Sequence, residues 1–162
     1  MTNAYKKIFE FYGARHQAKK LMEETAELVE ALEDYVDSPT SQTISHIIEE
    51  IADCTVVINQ LAVAYADNTY KLNEEIAAEV TEEGNKDDNA VNAIVLTAAC
   101  IICSIAHYEN TGKDKSELVE YVKQYKVWLH RIRLRIDISG NEVRKVMGAK
   151  IDRQLTRMDM NK

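Results

Sequence analysis

The stretch KKLMEETAELVEAL, residues 19–32, has the apolar spacing of an amphipathic helix and carries acidic side chains beside its apolar face. At 100° per residue, four side chains share one narrow sector, which predicts the core face. These are Leu21, Thr25, Leu28 and Leu32. Glu24 lies only about 60° from the centre of that sector, and Glu27 lies one step further round. A half-buried carboxylate is unfavourable unless a positive group meets it, so a cation is expected near Glu24.

A second stretch, IIEEIADCTVVINQL at residues 47–61, repeats this arrangement. The helix predicted to contain this stretch, at about 42–66, has a core face of five members: Ile44, Ile48, Ile51, Thr55 and Ile58. Glu50 and Asp53 point away from that face. Because the helix is apolar nearly all round after Asp53, the side that carries the two carboxylates is also expected to be covered.

The two stretches are joined by DSPT, residues 37–40, a polar turn that contains the only proline. Helices joined in this way can pack antiparallel and bring the acid pairs together. The group Glu24, Glu27, Glu50 and Asp53 is called the acid cluster below. Four facing carboxylates need a divalent cation, and Mg²⁺ or Mn²⁺ prefers such oxygen ligands. The alternative is that these pairs lie on solvated faces, since acid pairs three residues apart are common by chance in a chain with 27 acidic residues.

Composition places the 162-residue chain in the all-α class, as one domain. Hydrophobic residues make up 46%, with one proline and five glycines, and helical periodicity dominates throughout. The net charge of −7 argues against a nucleic-acid binder. The first residues lack the apolar region of a signal peptide, and three cysteines are too few for a disulfide scaffold. We therefore expect a cytoplasmic protein.

Seven helices are predicted, at about 3–12, 14–35, 42–66, 69–83, 89–108, 116–136 and 140–158. Gly13 is the expected break between the first two, Ser41 and Ser116 are the expected caps of the third and sixth, and residues 82–89 are expected to form a loop. Residues 89–108 contain no charge and are just long enough to span a membrane. Acidic flanks, polar positions and the absence of close Lys, Arg or Trp anchors favour a buried bundle helix without a membrane partner.

The motifs EETAE at 23–27 and EEIAD at 49–53 match the pattern EExxE followed by ExxD. In this respect the chain resembles the MazG-like branch of the all-α nucleoside triphosphate pyrophosphohydrolases. The tail ISGNEVRKVMGAKIDRQLTRM also resembles the closing helix of that family. The resemblance covers about 13–66 and 126–158, and the part between, about 67–125, looks like an inserted helix pair.

The resemblance implies an antiparallel helical bundle that hydrolyses nucleoside triphosphates, such as dNTPs or non-standard NTPs, to a monophosphate and pyrophosphate with Mg²⁺. It assigns the four residues of the acid cluster to metal binding. Glu23 and Glu49 match the additional acids and are the catalytic candidates.

Positive groups that could bind a triphosphate are found on two segments. Lys150, Arg153 and Arg157 share one face of the last helix, where Arg suits phosphate. A solvated basic helix end is the alternative reading of these three residues. Gln17 and Lys20 lie on the flank of the first acidic stretch and could reach a base or a phosphate, or have an ordinary surface role.

The remaining features concern the cysteines, a di-iron site and assembly. Cys100 and Cys103 form a C-x-x-C without a second Cys/His pair, so they are expected to pack in the core, as is Cys54. No histidine follows a glutamate at the Glu-x-x-His spacing of di-iron bundles. The apolar surface exceeds the need of a lone four-helix unit, so a homodimer or homotetramer is expected. A non-catalytic helical assembly or regulatory module is the alternative function.

Overall fold

The computed structural model describes residues 1–83 and 89–160, and this part of the chain is all-helical. Its seven helices are α1 (Thr2–Tyr12), α2 (Ala14–Asp37), α3 (Ser41–Tyr65), α4 (Thr69–Glu83), α5 (Ala90–Thr111), α6 (Lys115–Arg135) and α7 (Gly140–Met160). The predicted boundaries agree within three residues. The predicted loop at 82–89 falls largely outside the described residues.

Helix ends follow local backbone chemistry. Gly13 adopts φ 79°, a conformation that favours glycine, and separates α1 from α2 as predicted. The cap of α3 is Thr40 rather than Ser41, because the Thr40 hydroxyl accepts from the Thr43 amide at 3.2 Å. The reciprocal bond, from the Thr40 amide to the Thr43 hydroxyl, completes a capping box. The predicted Ser116 cap is also wrong, since α6 begins at Lys115.

Four helices close a ring around the core. Helix α2 packs on α3, α3 on α6, α6 on α5, and α5 back on α2. Helices α1 and α7 pack against α3, and α4 packs against α6. Helix α5 thus supplies one side of the bundle, although it belongs to the segment that we expected to be an insertion; the insertion itself stays a prediction.

The predicted core face of α3 is confirmed only in part: Ile51 and Ile58 are buried as expected. Ile44 and Ile48 are only half-buried, whereas Ile47, Cys54 and Leu61 are fully buried. These three residues share a side of the helix with Glu50 by their spacing. That side is covered by α2, while α6 and α7 pack against other sides of α3. The side that carries the carboxylates therefore faces the bundle interior.

Helix α5 is long and apolar enough to cross a membrane by length and composition, a property that core helices of soluble proteins share. Its most apolar window is 33% buried. It packs on α2 and α6, but Val91, Val95 and Leu96 are exposed. The expected buried bundle helix is therefore covered on one side only.

Candidate metal centre

The hairpin of α2 and α3 brings three carboxylates of the acid cluster together. Glu27 lies ten residues before the end of α2 at Asp37, and Glu50 lies nine residues after the start of α3 at Ser41. Nearly equal distances from a tight turn place residues side by side in antiparallel helices. One carboxylate oxygen from each of Glu24, Glu27 and Glu50 lies within 4.8 Å of the others.

Two of these carboxylates are buried. Glu24 is 4% exposed and Glu50 is 8% exposed, whereas Glu27 lies at the open side of the cluster. Below them, the Cys54 thiol donates to the backbone carbonyl of Glu24 at 3.3 Å, which ties the two helices at this level. The cluster is thus a pocket with a closed floor and a solvent-facing edge.

Burial changes the acidity of both groups. It raises the pKa of Glu24 from 4.5 to about 7, although the hydrogen bond from Lys20 works in the opposite direction. The charge of Asp53 and the contact with Glu27 raise this pKa further. The pKa of Glu50 is raised first by burial and then by the charges of Asp53 and Glu27. The free carboxylates are therefore held in an environment that disfavours their charge.

Positive groups compensate only part of this charge. Lys20 Nζ lies 2.7 Å from Glu24 Oε1 and 3.3 Å from Glu23 Oε1. Lys150 forms an ion pair with Asp53. The four carboxylates of the acid cluster thus meet two ammonium groups, Lys20 and Lys150. Because Lys20 is shared with Glu23, these two ammonium groups compensate the acid cluster only in part, and a divalent cation would reduce the remaining negative charge.

The donor set fits such a cation. Glu50 Oε2 is buried and has no hydrogen-bond partner in the described part of the chain, which is costly for a carboxylate oxygen. Oxygens bound to one Mg²⁺ at about 2.1 Å lie up to about 4.2 Å apart. The three oxygens lie within 4.8 Å of one another, so only small side-chain movements are needed to reach this spacing. Glu24, Glu27 and Glu50 could therefore hold the ion.

Asp53, the fourth predicted ligand, is placed differently. Its carboxylate is close enough to raise the pKa of Glu24 and Glu50 by charge, but it is bonded to Lys150 and lies outside the group of three converging oxygens. The periodicity of α3 does not predict the ion pair of Asp53, because its partner lies on α7. Lys150 thus neutralises one carboxylate of the acid cluster.

The other predicted site residues are divided between the bundle interior and the surface. Gln17 is 3% exposed, whereas Glu23 and Glu49 are exposed. On α7, Arg153 and Arg157 are exposed, and Arg153 Nε donates to the carbonyl of Ala149 in its own helix. Their roles toward a phosphate stay predictions.

Two further polar contacts lie next to the cluster. The Thr25 hydroxyl, one residue after Glu24, lies 2.7 Å from the Tyr125 hydroxyl of α6. His46 Nε2 lies 3.4 Å from Glu50 Oε1. The spacing of His46, one turn before Glu50, was the available signal for the second contact, while nothing local points to Tyr125.

The cysteines only partly follow the prediction. Cys54 is buried, but Cys100 is half-buried and Cys103 is exposed. The expectation of core packing is therefore wrong for Cys103, because it lies on the uncovered side of α5.

Comparisons with known proteins identify no relative of this chain: no family model matches it, and no curated protein or solved structure is similar to it. The case for a function therefore depends on the acid cluster and its surroundings.

Proposed function

We propose that the protein is a metal-dependent nucleoside triphosphate pyrophosphohydrolase with a MazG-type helical bundle. One observation carries the proposal: carboxylate oxygens of Glu24, Glu27 and Glu50 converge within 4.8 Å, and a buried oxygen of Glu50 lacks a partner. These residues occupy the positions at which EExxE and ExxD motifs resemble the metal-binding pattern of that family. The proposed substrates are dNTPs or non-standard NTPs.

In this proposal Glu24, Glu27 and Glu50 hold Mg²⁺, or Mn²⁺, at the open edge of the pocket. When bound, the ion supplies charge neutralisation and Lewis acidity toward phosphate oxygens. Lys20 is already fixed beside Glu24 and presents a positive charge to the same edge. A triphosphate carries the negative charge that this edge, loaded with metal and flanked by lysine, would attract.

Hydrolysis also needs an acceptor for the proton of the attacking water. Glu23 and Glu49 are exposed and directly precede two of the buried carboxylates in the chain. We propose that one of these two carboxylates accepts that proton; both are exposed to the solvent that supplies the water. Water is excluded on the opposite side by Cys54 and the apolar side chains of the bundle.

The test is release of pyrophosphate from a panel of NTPs and dNTPs with Mg²⁺. We expect Glu50→Gln to reduce kcat/KM at least 100-fold, because it removes a charged ligand. Glu30→Gln is the matched control: it makes the same change on an exposed residue of α2. Absence of pyrophosphate with every nucleotide, or equal activity of wild type and Glu50→Gln, would contradict the proposal.

A second candidate is a helical assembly module, which the uncovered face of α5 favours. Val91, Val95 and Leu96 are exposed there, with Leu96 70% exposed. An apolar face of this kind is typical of contacts between subunits, so a homodimer or homotetramer is proposed in either case. Mg²⁺ with nucleotide should raise the Tm of the enzyme and leave that of a pure assembly module unchanged.

A further inference from the structure

A cavity of about 430 Å³ lies between α3, α4, α6 and α7, apart from the acid cluster. The residues of α3 that line the cavity are Ile51, Thr55, Ile58 and Asn59. On a helix this face is rotated by roughly 150° from the face that carries Glu50 and Asp53. The volume is within the range of small-molecule pockets, about 300–1,000 Å³.

The walls combine an apolar floor with basic groups. Ile51, Leu129 and Met147 are buried and form part of the floor. Four basic side chains also line the cavity: Lys126, His130, Arg133 and Arg144. No carboxylate lines it among the side chains that the structure describes. In a chain with a net charge of −7, this local excess of positive charge needs an explanation.

In the part of the chain that the structure describes, the hydrogen-bond partners found for Lys126, Arg133 and Arg144 are neutral. Lys126 Nζ donates to Asn73 Oδ1 at 2.6 Å, and Arg133 Nη1 donates to the carbonyl of Ile138 at 2.7 Å. Arg144 donates to the side chain of Asn141. A lysine has three N–H donors and an arginine has five. Each group therefore keeps donors beyond the bond described, and none of these bonds neutralises its charge.

The cavity also disfavours uncompensated positive charge. Burial lowers the pKa of Lys126 to about 8, and burial together with the charges of Arg133 and Lys126 lowers the pKa of His130. An anion in the cavity would remove this penalty and pair with three fixed cations at once. A neutral apolar ligand would fill the floor and leave the charges as they are.

We propose that this cavity is a second ligand site that binds a small organic anion. Its phosphate or carboxylate group contacts Lys126, Arg133 and Arg144, and its apolar or aromatic body packs on Ile51 and Met147. The site is independent of the proposed hydrolysis, because the two pockets share no residue.

The first experiment uses the aromatic sulfonate ANS as a fluorescent probe, with the full chain in EDTA at pH 7. We expect saturable binding that Lys126→Met and Arg144→Ala each weaken about tenfold. Lys145→Ala is the matched control, because it removes the same charge from an exposed position next to Arg144. Circular dichroism and Tm identify variants that are not folded; Arg144 is exposed, so its replacement is expected to leave the fold intact.

Competition then identifies the head group. Displacement of ANS by phenyl phosphate supports the proposal with a phosphate ligand, and displacement by benzoate supports it with a carboxylate ligand. Displacement by neither, or ANS binding that both cavity variants leave unchanged, overturns it; the latter result would assign the probe to the apolar face of α5. Glu50→Gln should bind ANS like wild type, so failure of the cavity proposal and failure of the hydrolase proposal are separable.

Discussion

Replacing Glu24 by glutamine should stabilise the metal-free protein at pH 8, although it removes a charged partner of Lys20. Glu24 is 4% exposed, and its pKa is raised from 4.5 to about 7, chiefly by burial. The folded state therefore binds more protons than the unfolded state between these pH values. Its free energy of unfolding falls as the pH rises through this window and stays lower above pH 7.

The magnitude follows from the size of the pKa change. Each pKa unit corresponds to about 1.4 kcal/mol, so the rise from 4.5 to about 7 costs at most about 3.5 kcal/mol at high pH. Water at the open side near Glu27 screens part of this, and we expect a cost of about 2 kcal/mol. Glutamine removes the charge but keeps an oxygen for Lys20 Nζ. Glu24→Gln should therefore raise the Tm by roughly 4–8 °C at pH 8 and leave it nearly unchanged at pH 4.

In Mg²⁺, the wild-type protein should become more stable than Glu24→Gln. At 100 times its Kd, a ligand stabilises the folded state by about 2.7 kcal/mol, a gain that the variant loses with its metal ligand. The assay is urea or thermal unfolding followed by circular dichroism, in EDTA and in MgCl₂, with Glu30→Gln as the exposed control. A variant less stable than wild type at pH 8 in EDTA would refute the reasoning, since the Lys20 pair would then outweigh the burial of charge.

Three further predictions concern a buried hydrogen bond, an ion pair and the reactivity of the cysteines. Thr25→Val should lower the free energy of unfolding by about 1–2 kcal/mol in urea titrations, because it leaves the buried Tyr125 hydroxyl without this partner; adding Tyr125→Phe should recover much of the loss. Lys150→Met should tighten Mg²⁺ binding several-fold by calorimetry, since its ammonium pairs with a carboxylate of the cluster and repels the cation; weaker binding would contradict this. A thiol reagent at pH 8 should modify Cys103 within minutes, whereas Cys54, whose pKa is raised by burial, should react only on unfolding, and mass spectrometry identifies the modified sites.

The helices of this protein were predictable because their signals are local. Apolar spacing and the few glycines predicted seven helices and the break at Gly13. The caps were less predictable: Thr40 instead of Ser41 caps α3, because capping depends on backbone angles that the order of residues alone does not reveal. The core face of α3 was predicted only in part, since a helix that is apolar nearly all round has no periodicity to rank its sides.

The sequence by itself determined the two helices and the short turn that make an approach of Glu24, Glu27 and Glu50 possible, because helical spacing brings antiparallel neighbours into register. Tertiary structure alone decided that Asp53 pairs with Lys150 of α7 and that Lys126, Arg133 and Arg144 line one cavity. The physical reason is range. Helix formation depends on residues three or four positions apart, whereas the pairing and burial of charge depend on which distant helices pack together.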